Sequence, residues 1–130
     1  MKKEEFSVED YFSHIREAMA KIDRYMAGID NLEDFLANSM LGDAVVRNIE
    51  IIGEASRNIQ VVPPEFTKQH PEIANTLIDA YNMRNVVIHG YIEVDYAIVY
   101  GTAKYSLPEF KKQIESLNIQ GNVAVLSPNK

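Results

Sequence analysis

The chain has 130 residues, 46% of them hydrophobic and 25% charged, which predicts a single globular domain able to bury its own core. The absence of cysteine excludes disulfide scaffolds, thiolate metal sites and a cysteine nucleophile. The formal net charge of −6 argues against a protein that coats nucleic acid non-specifically, although it leaves room for a local basic pocket.

The sequence has no feature of a targeting or membrane-spanning segment. Residues 1–6 carry several charges and lack the apolar run of a signal peptide. No stretch approaches the roughly 18 apolar residues that a membrane span needs. We therefore expect a cytoplasmic protein without membrane association.

The first two predicted elements are helices that begin at capping boxes. Ser7 and Asp10 have the spacing of such a box, and Gly28 is the expected end of the first helix. Between and just beyond them, apolar residues recur every three or four positions, namely Val8, Phe12, Ile15, Met19, Ile22, Met26 and Ile29. Asp30 and Glu33 resemble a second capping box and predict a short helix.

Two longer helices follow in the middle of the chain. Apolar spacing predicts a third helix over residues 41–60, and Pro63-Pro64 forbids its continuation. Pro71 favours the first position of a fourth helix. We expect this helix to run to His89, although the β-branched residues 86–88 also resemble a strand.

Asp95 is a good N-cap for a fifth helix, within which Pro108 should produce a kink or a division. Residues 119–130 show no clear periodicity. The pattern predicts an all-α, up-and-down bundle of four to five helices, with the helical domain at residues 1–118 and a C-terminal tail at 119–130.

Arg84 and His89 are the residues most suggestive of chemistry. Arginine is a permanent cation whose planar fork fits phosphate oxygens, and histidine transfers protons near neutral pH. The histidine would deprotonate a ribose 2′-OH and the arginine would stabilise charge on the attacked phosphate. Asn85 is a candidate for contacting or orienting the substrate. Such a site would cut RNA but not DNA.

The spacing of this pair raises a geometric question. On an ideal helix, positions five apart differ by roughly 140° in azimuth, so Arg84 and His89 would not share a face, whereas Asn85 and His89 would. Either the helix distorts near its end, or two subunits meet across a two-fold axis and complete the site together. The second arrangement predicts a homodimer.

The third predicted helix carries a polar stripe with two interpretations. It consists of Arg47, Asn48, Glu50, Glu54 and Arg57. Spacings of three favour ion pairs within the helix, Arg47 with Glu50 and Glu54 with Arg57. In the other interpretation, Arg47, Asn48 and Glu54 support the site, for example with Glu54 holding Arg84.

The histidines and four of the tyrosines suggest neither a metal site nor a surface for stacking bases. His14, His70 and His89 lie far apart and outside metal-binding motifs, so we expect neither a metal nor another cofactor. Four tyrosines fall at or near helical seams and are expected in the core or at an interface, namely Tyr25, Tyr96, Tyr100 and Tyr105.

The run Arg84-x4-His89-x-Tyr91 resembles the signature of the HepT-like branch of the HEPN superfamily. Residues 43–55 (DAVVRNIEIIGEA) resemble that family's third-helix block, and residues 70–73 and 83–91 resemble its later blocks. One departure is Asn82, since many relatives have glycine at that position. The order of several blocks makes the resemblance specific.

The resemblance implies the toxin of a toxin–antitoxin pair. It implies a homodimeric, metal-independent endoribonuclease acting on mRNA or tRNA, with Arg84 and His89 as catalytic residues. Its partner would be a minimal nucleotidyltransferase antitoxin that transfers AMP from ATP to Tyr91. An AMP group there would place negative charge beside the RNA site. The alternative is a non-catalytic helical module that binds a nucleotidyltransferase or a nucleotide, which the acidic net charge favours.

Overall fold

The computed structural model describes residues 6–61, 65–89 and 93–119. In chain order the elements are α1 (Val8–Met26), α2 (Leu32–Leu36), α3 (Ser39–Val61), α4 (Glu65–Gln69), α5 (Pro71–Val87), β1 (Ile88–His89), β2 (Glu93–Val94), α6 (Tyr96–Gly101), a π-helical segment (Thr102–Ser106) and α7 (Leu107–Ile119). The long helices α1, α3, α5 and the α6–α7 rod form an all-α bundle, which confirms the predicted fold class. None of the helices within the described residues is both long enough and apolar enough to cross a membrane.

The N-terminal caps show how local sequence fixes the helix starts. The Ser7 hydroxyl accepts a hydrogen bond from the Asp10 N–H and the Asp10 carboxylate accepts one from the Ser7 N–H, which confirms the first capping box. At α2 the N-cap is Asn31, whose side chain accepts from the N–H of Asp34 at 2.8 Å. The prediction of Asp30 was wrong by one residue, because Asp and Asn are equally good N-caps and stand side by side here.

The core lies where α3 packs against both α1 and α5. Its largest fully buried side chains are Phe12, Phe35, Ile15, Ile22, Ile49, Ile52, Ile59, Ile73, Leu77, Ile114 and Val45. Burial of each such side chain stabilises the fold by about 1.5–3 kcal/mol. Helix α3 is thus the central helix of the bundle, and Glu50 and Glu54 of its polar stripe lie beside α5.

A one-turn helix not anticipated from the sequence, α4, precedes α5. It buries Phe66, whose ring lies 5.9 Å from that of Phe12 in an edge-to-face arrangement. Pro71 then occupies the first turn of α5, as predicted. A single buried aromatic residue after Pro63-Pro64 gives too little periodicity to reveal such a short helix.

Pro108 divides the last helical rod, as predicted. Proline has no N–H to donate to the carbonyl four residues earlier, and the π-helical segment ends two residues before Pro108. The wider i to i−5 turn therefore accommodates the missing hydrogen bond, and α7 continues beyond it. Of the tyrosines expected in the core or at an interface, Tyr100 is buried, whereas Tyr105 is 70% exposed.

The end of α5 differs from the prediction. The helix ends at Val87, and Ile88–His89 form strand β1, antiparallel to Glu93–Val94. The prediction that the helix runs to His89 was wrong, because the β-branched Ile88 favours extended backbone once a partner strand is present, while Val86 and Val87 remain in α5. His89 thus ends a short strand instead of a helix.

Candidate functional site

Arg84 lies in the last turn of α5 and faces two carboxylates of α3. Its Nη2 is 3.5 Å from Glu50 Oε2 and 3.6 Å from Glu54 Oε2. The Arg84 side chain is 23% exposed, and those of Glu50 and Glu54 are 38% and 48% exposed. The guanidinium is therefore held at the edge of the α3–α5 contact with part of its surface open to solvent.

The other two nitrogens of the Arg84 guanidinium differ in their hydrogen bonding. Nη1 donates to Asn85 Oδ1 at 3.0 Å, while Nε is buried and has no partner among the described residues. A guanidinium has five N–H donors, and the two carboxylates and Asn85 engage only its outer nitrogens. The fork is thus oriented by neighbours while retaining unsatisfied donor capacity.

Gly53 explains why Arg84 can approach α3 so closely. A Cβ at position 53 would lie 2.5 Å from the Cβ of Arg84 and 2.8 Å from its Cγ. Any larger residue would force the two helices apart at this point. Glu50 and Glu54 flank Gly53 on the same face of α3, so the glycine brings both carboxylates within reach of the guanidinium.

The carboxylates of the polar stripe of α3 thus form ion pairs with α5 and not within α3. The predicted Arg47–Glu50 and Glu54–Arg57 pairs do not form within the described residues, since both carboxylates contact Arg84 instead. Spacing along one helix could not reveal these ion pairs, because it does not show which side chains of the neighbouring helix lie opposite. Glu50 and Glu54 therefore join Arg84 in one cluster.

The other members of the stripe have separate positions. Arg47 is exposed, and the buried Asn48 donates to the carbonyl of Ala44 at 2.9 Å. The guanidinium of Arg57 lies 5.2 Å from the centre of the Tyr81 ring. Arg47 and Asn48 are therefore not brought to Arg84, whereas Arg57 lies farther along the same α3–α5 seam.

The hairpin that starts at β1 follows directly on the turn that carries Arg84. The Ile88 N–H donates to the carbonyl of Arg84, and His89 pairs with Glu93 through the backbone. The side chain of His89 and the whole of Tyr91 lie outside the described residues. Since His89 is not helical, the predicted shared face of Asn85 and His89 does not exist, and the azimuth argument for a two-subunit site loses its basis.

The chain segment after the hairpin is fastened to α3. Asp95 caps α6 by accepting hydrogen bonds from the backbone, as predicted. The Tyr96 hydroxyl donates to Asp43 Oδ1 at 2.6 Å, and the Tyr96 ring lies against Gly42, where an added Cβ would be 2.9 Å away. The hydrogen bond to Asp43, with smaller contributions from burial and the Asp43 charge, raises the pKa of Tyr96.

One family model matches most of the helical bundle. The family model described as Ribonuclease HepT-like matches residues 15–117, a span that contains Arg84, Glu50, Gly53 and Glu54. The chain belongs to the HepT-like ribonuclease family. This confirms the resemblance that the sequence motifs indicated.

Individual relatives support the same membership. The "Probable ribonuclease HepT" of Thermococcus cleftensis is 39% identical over 111 residues, which are 85% of this chain and 96% of that protein. A "Putative RNase" of Methanocaldococcus jannaschii is 39% identical over 85 residues, 65% of this chain and 66% of that protein. A "Putative RNase" of Caldanaerobacter subterraneus is 35% identical over 107 residues, 82% of this chain and 90% of that protein. No solved structure gives a significant match.

Two residues of this HepT-like site escaped the candidates drawn from the sequence. The sequence predicts Glu50 only as a partner of Arg47, and it presents Gly53 only within the block of residues 43–55. The spacing of Glu50, Gly53 and Glu54 on one helical face is visible in the sequence, but its meaning depends on Arg84 lying opposite. Among the described residues, no group of three or more histidine or carboxylate side chains is arranged to hold a metal ion.

Proposed function

We propose that this chain is an endoribonuclease that cleaves RNA by attack of a ribose 2′-OH on the adjacent phosphate, with Arg84 and His89 as its catalytic residues and without a metal ion. The observation that carries the proposal is the fixed, partly exposed guanidinium of Arg84 beside the hairpin that contains His89. Membership of a ribonuclease family gives independent support.

The chemistry needs one proton acceptor and one fixed cation. The imidazole of His89 takes the 2′-OH proton, the 2′-oxygen bonds to phosphorus, and the bond from phosphorus to the 5′-oxygen breaks as that oxygen takes a proton from water. Arg84 stabilises the additional negative charge on the phosphoryl oxygens. The products are a 2′,3′-cyclic phosphate and a free 5′-hydroxyl, and DNA, which lacks the 2′-OH, is not cut.

The contacts of Arg84 are compatible with binding a phosphate. Charge-assisted N–H···O bonds are typically about 2.7–2.9 Å long, whereas the Glu50 and Glu54 contacts are 3.5 and 3.6 Å. These longer contacts orient the guanidinium without saturating it. Asn85, which accepts a hydrogen bond from Arg84 Nη1, also has an amide N–H₂ that would donate to the substrate.

Control of the enzyme forms the second part of the proposal. We infer a cytoplasmic toxin that acts as a homodimer and is neutralised by a minimal nucleotidyltransferase antitoxin through transfer of AMP to Tyr91. Tyr91 follows His89 by two residues, so the AMP phosphate would add negative charge next to the catalytic segment and repel RNA. The family signature Arg84-x4-His89-x-Tyr91 supports this assignment.

The test uses purified protein with tRNA and mRNA in EDTA. The wild type should cut RNA and leave cyclic phosphate ends, while Arg84→Ala and His89→Ala should lose cleavage and keep the helical circular dichroism of the wild type. Arg24→Ala is the matched control, because Arg24 is an exposed α1 residue. Cleavage only after addition of metal, or undiminished activity of both site variants, would overturn the mechanism.

One observation favours the second candidate function, a non-catalytic module that binds a nucleotidyltransferase or a nucleotide. Two carboxylates face the single guanidinium of Arg84, and the net charge is −6, so the region around Arg84 is not strongly attractive to RNA. A binding module would bind its partner with full affinity yet leave RNA intact and growth unaffected. Expression of this chain alone, followed by measurement of growth, separates the two candidates.

A further inference from the structure

A second cationic group lies on the same α3–α5 seam as Arg84. The guanidinium of Arg57 rests over the ring of Tyr81 at 5.2 Å from its centre. Arg57 is exposed and Tyr81 is half-buried. The ring therefore supports the guanidinium from one side and leaves its other side open to solvent.

Among the described residues, no carboxylate forms an ion pair with Arg57. Glu54 lies three residues earlier on α3, close enough for an ion pair, but its carboxylate contacts Arg84 at 3.6 Å. Within the described part of the chain, no carboxylate lies within 4.0 Å of the Arg57 guanidinium. Arg57 therefore has no carboxylate partner in the described part of the chain, although the protein as a whole has a net charge of −6.

The register of the two helices sets the positions of Arg57 and Arg84 along the seam. Gly53 of α3 lies against Arg84 of α5, and Arg57 lies against Tyr81. The numbers rise on α3 as they fall on α5, so the helices are antiparallel. Three residues correspond to a rise of about 4.5 Å, so the Arg57–Tyr81 and Gly53–Arg84 contacts lie about one helical turn apart along the seam.

Adjacent phosphates of a strand lie farther apart than its axial rise of about 3.4 Å per nucleotide, and two long arginine side chains based one helical turn apart can each reach one of them. We propose that Arg57, supported by Tyr81, binds the phosphate next to the scissile one in single-stranded RNA. The proposal rests on the ribonuclease function of Arg84 and extends its site by one nucleotide. A phosphate contact carries no base identity, so this subsite gives affinity and register without sequence preference.

The first experiment measures binding of a fluorescent six-nucleotide RNA whose 2′-hydroxyls are all methylated, so that it cannot be cleaved. Dissociation constants are measured over a range of salt concentrations for the wild type, Arg57→Gln and Arg24→Gln. Loss of one phosphate contact on a single strand should reduce the slope of log affinity against log salt by about 0.7. We expect this change in Arg57→Gln, and an unchanged slope in Arg24→Gln, which removes the same charge from α1.

Variants of Tyr81 test whether the ring holds the guanidinium in place. Tyr81→Phe keeps an aromatic face and should bind the RNA like the wild type, whereas Tyr81→Leu removes the support and should weaken binding in the same direction as Arg57→Gln. Tyr105→Leu is the control at an exposed tyrosine. Equal affinities of Tyr81→Leu and Tyr105→Leu would overturn the role of the ring.

Cleavage kinetics separate failure of the subsite from failure of the proposed function. A dinucleotide has only the scissile phosphate, so Arg57→Gln should cut it at the wild-type rate, and its KM should rise several-fold only for the six-nucleotide RNA. If the wild type cuts RNA and Arg57→Gln matches Arg24→Gln on both substrates, the subsite alone is overturned. If the wild type neither binds nor cuts any RNA, the proposed function fails and the subsite fails with it.

Discussion

Gly53 on α3 and Arg84 on α5 are in such close contact that a Cβ on the glycine would lie 2.5 Å from the Cβ of the arginine. This approach brings the carboxylates of Glu50 and Glu54 to the arginine fork. Gly53, which has no side chain, therefore determines the position of the Arg84 side chain. In this way the packing of α3 against α5 is coupled directly to the geometry of the candidate site.

Replacing Gly53 with alanine should destabilise the protein. The added methyl group would meet Arg84 Cβ, an atom attached to the helix backbone, so relief requires movement of a whole helix. Overpacking costs about 1–3 kcal/mol, and the gain in helix propensity offsets up to about 1 kcal/mol. We expect a net loss of about 1–2 kcal/mol in the free energy of unfolding, measured by urea denaturation, with loss of RNA cleavage as Arg84 is displaced.

Gly101→Ala is the matched control for that prediction. Gly101 has helical backbone angles, and a Cβ there would meet nothing within 4 Å. This variant should gain up to about 1 kcal/mol from helix propensity alone. If Gly53→Ala is as stable as Gly101→Ala, the close approach of α3 and α5 does not constrain this position.

The Tyr96–Asp43 hydrogen bond predicts a pH-dependent contribution to stability. Tyr96→Phe removes this 2.6 Å bond and should lower the free energy of unfolding by about 0.5–1.5 kcal/mol at neutral pH. The folded-state pKa of Tyr96 is raised above its ordinary value. Its contribution is therefore complete below about pH 10 and declines as the pH rises further.

The measurement compares wild type and Tyr96→Phe by urea denaturation at neutral pH and above about pH 10. The difference between them should be largest at neutral pH and should shrink in alkali. Tyr105→Phe is the control, since Tyr105 is 70% exposed. A difference in the free energy of unfolding that grows with rising pH would contradict the assignment of the Tyr96 hydroxyl as donor.

The sequence reveals those features of the fold that depend on local spacing. The capping box at Ser7, the first-turn proline Pro71, the cap at Asp95 and the division of the last rod near Pro108 are all confirmed. Each follows from the chemistry of one residue and its nearest neighbours. Such effects do not depend on which helix lies opposite.

Features that depend on contacts between helices could not be predicted in the same way. The end of α5 at Val87 depends on pairing of β1 with β2, and the partners of Glu50 and Glu54 depend on the approach permitted by Gly53. The favourable spacing for pairs within α3 therefore gave the wrong partners. A contact between residues about thirty positions apart leaves no periodic trace in a single sequence.

Control through Tyr91 predicts a change in protein mass on co-expression with a nucleotidyltransferase antitoxin. The intact protein should gain one or more AMP units, with the modification on a peptide that contains Tyr91, and the modified protein should no longer cut RNA. Tyr91→Phe should stay unmodified and remain toxic in the presence of the antitoxin, whereas Tyr105→Phe should behave like the wild type. Modification of Tyr91→Phe to the wild-type extent would exclude Tyr91 as the acceptor.

Removing the charges of Glu50 and Glu54 should distinguish two effects of these carboxylates, which are to orient Arg84 and to repel RNA. The double variant Glu50→Gln with Glu54→Gln removes two negative charges, so KM for RNA should not rise. It also removes the carboxylates that orient the guanidinium, so kcat should fall several-fold. Stability should change by less than about 1 kcal/mol, because both carboxylates are substantially exposed.

A double-mutant cycle decides whether these carboxylates act through Arg84. Arg84→Lys keeps the charge but loses the planar fork, so once it is present the Glu54→Gln change should have little further effect on kcat. Glu17→Gln, at an exposed position of α1, is the control for loss of a carboxylate. Additive effects of Arg84→Lys and Glu54→Gln on kcat would show that the two residues act independently, and the carboxylates would then serve helix packing and not the site.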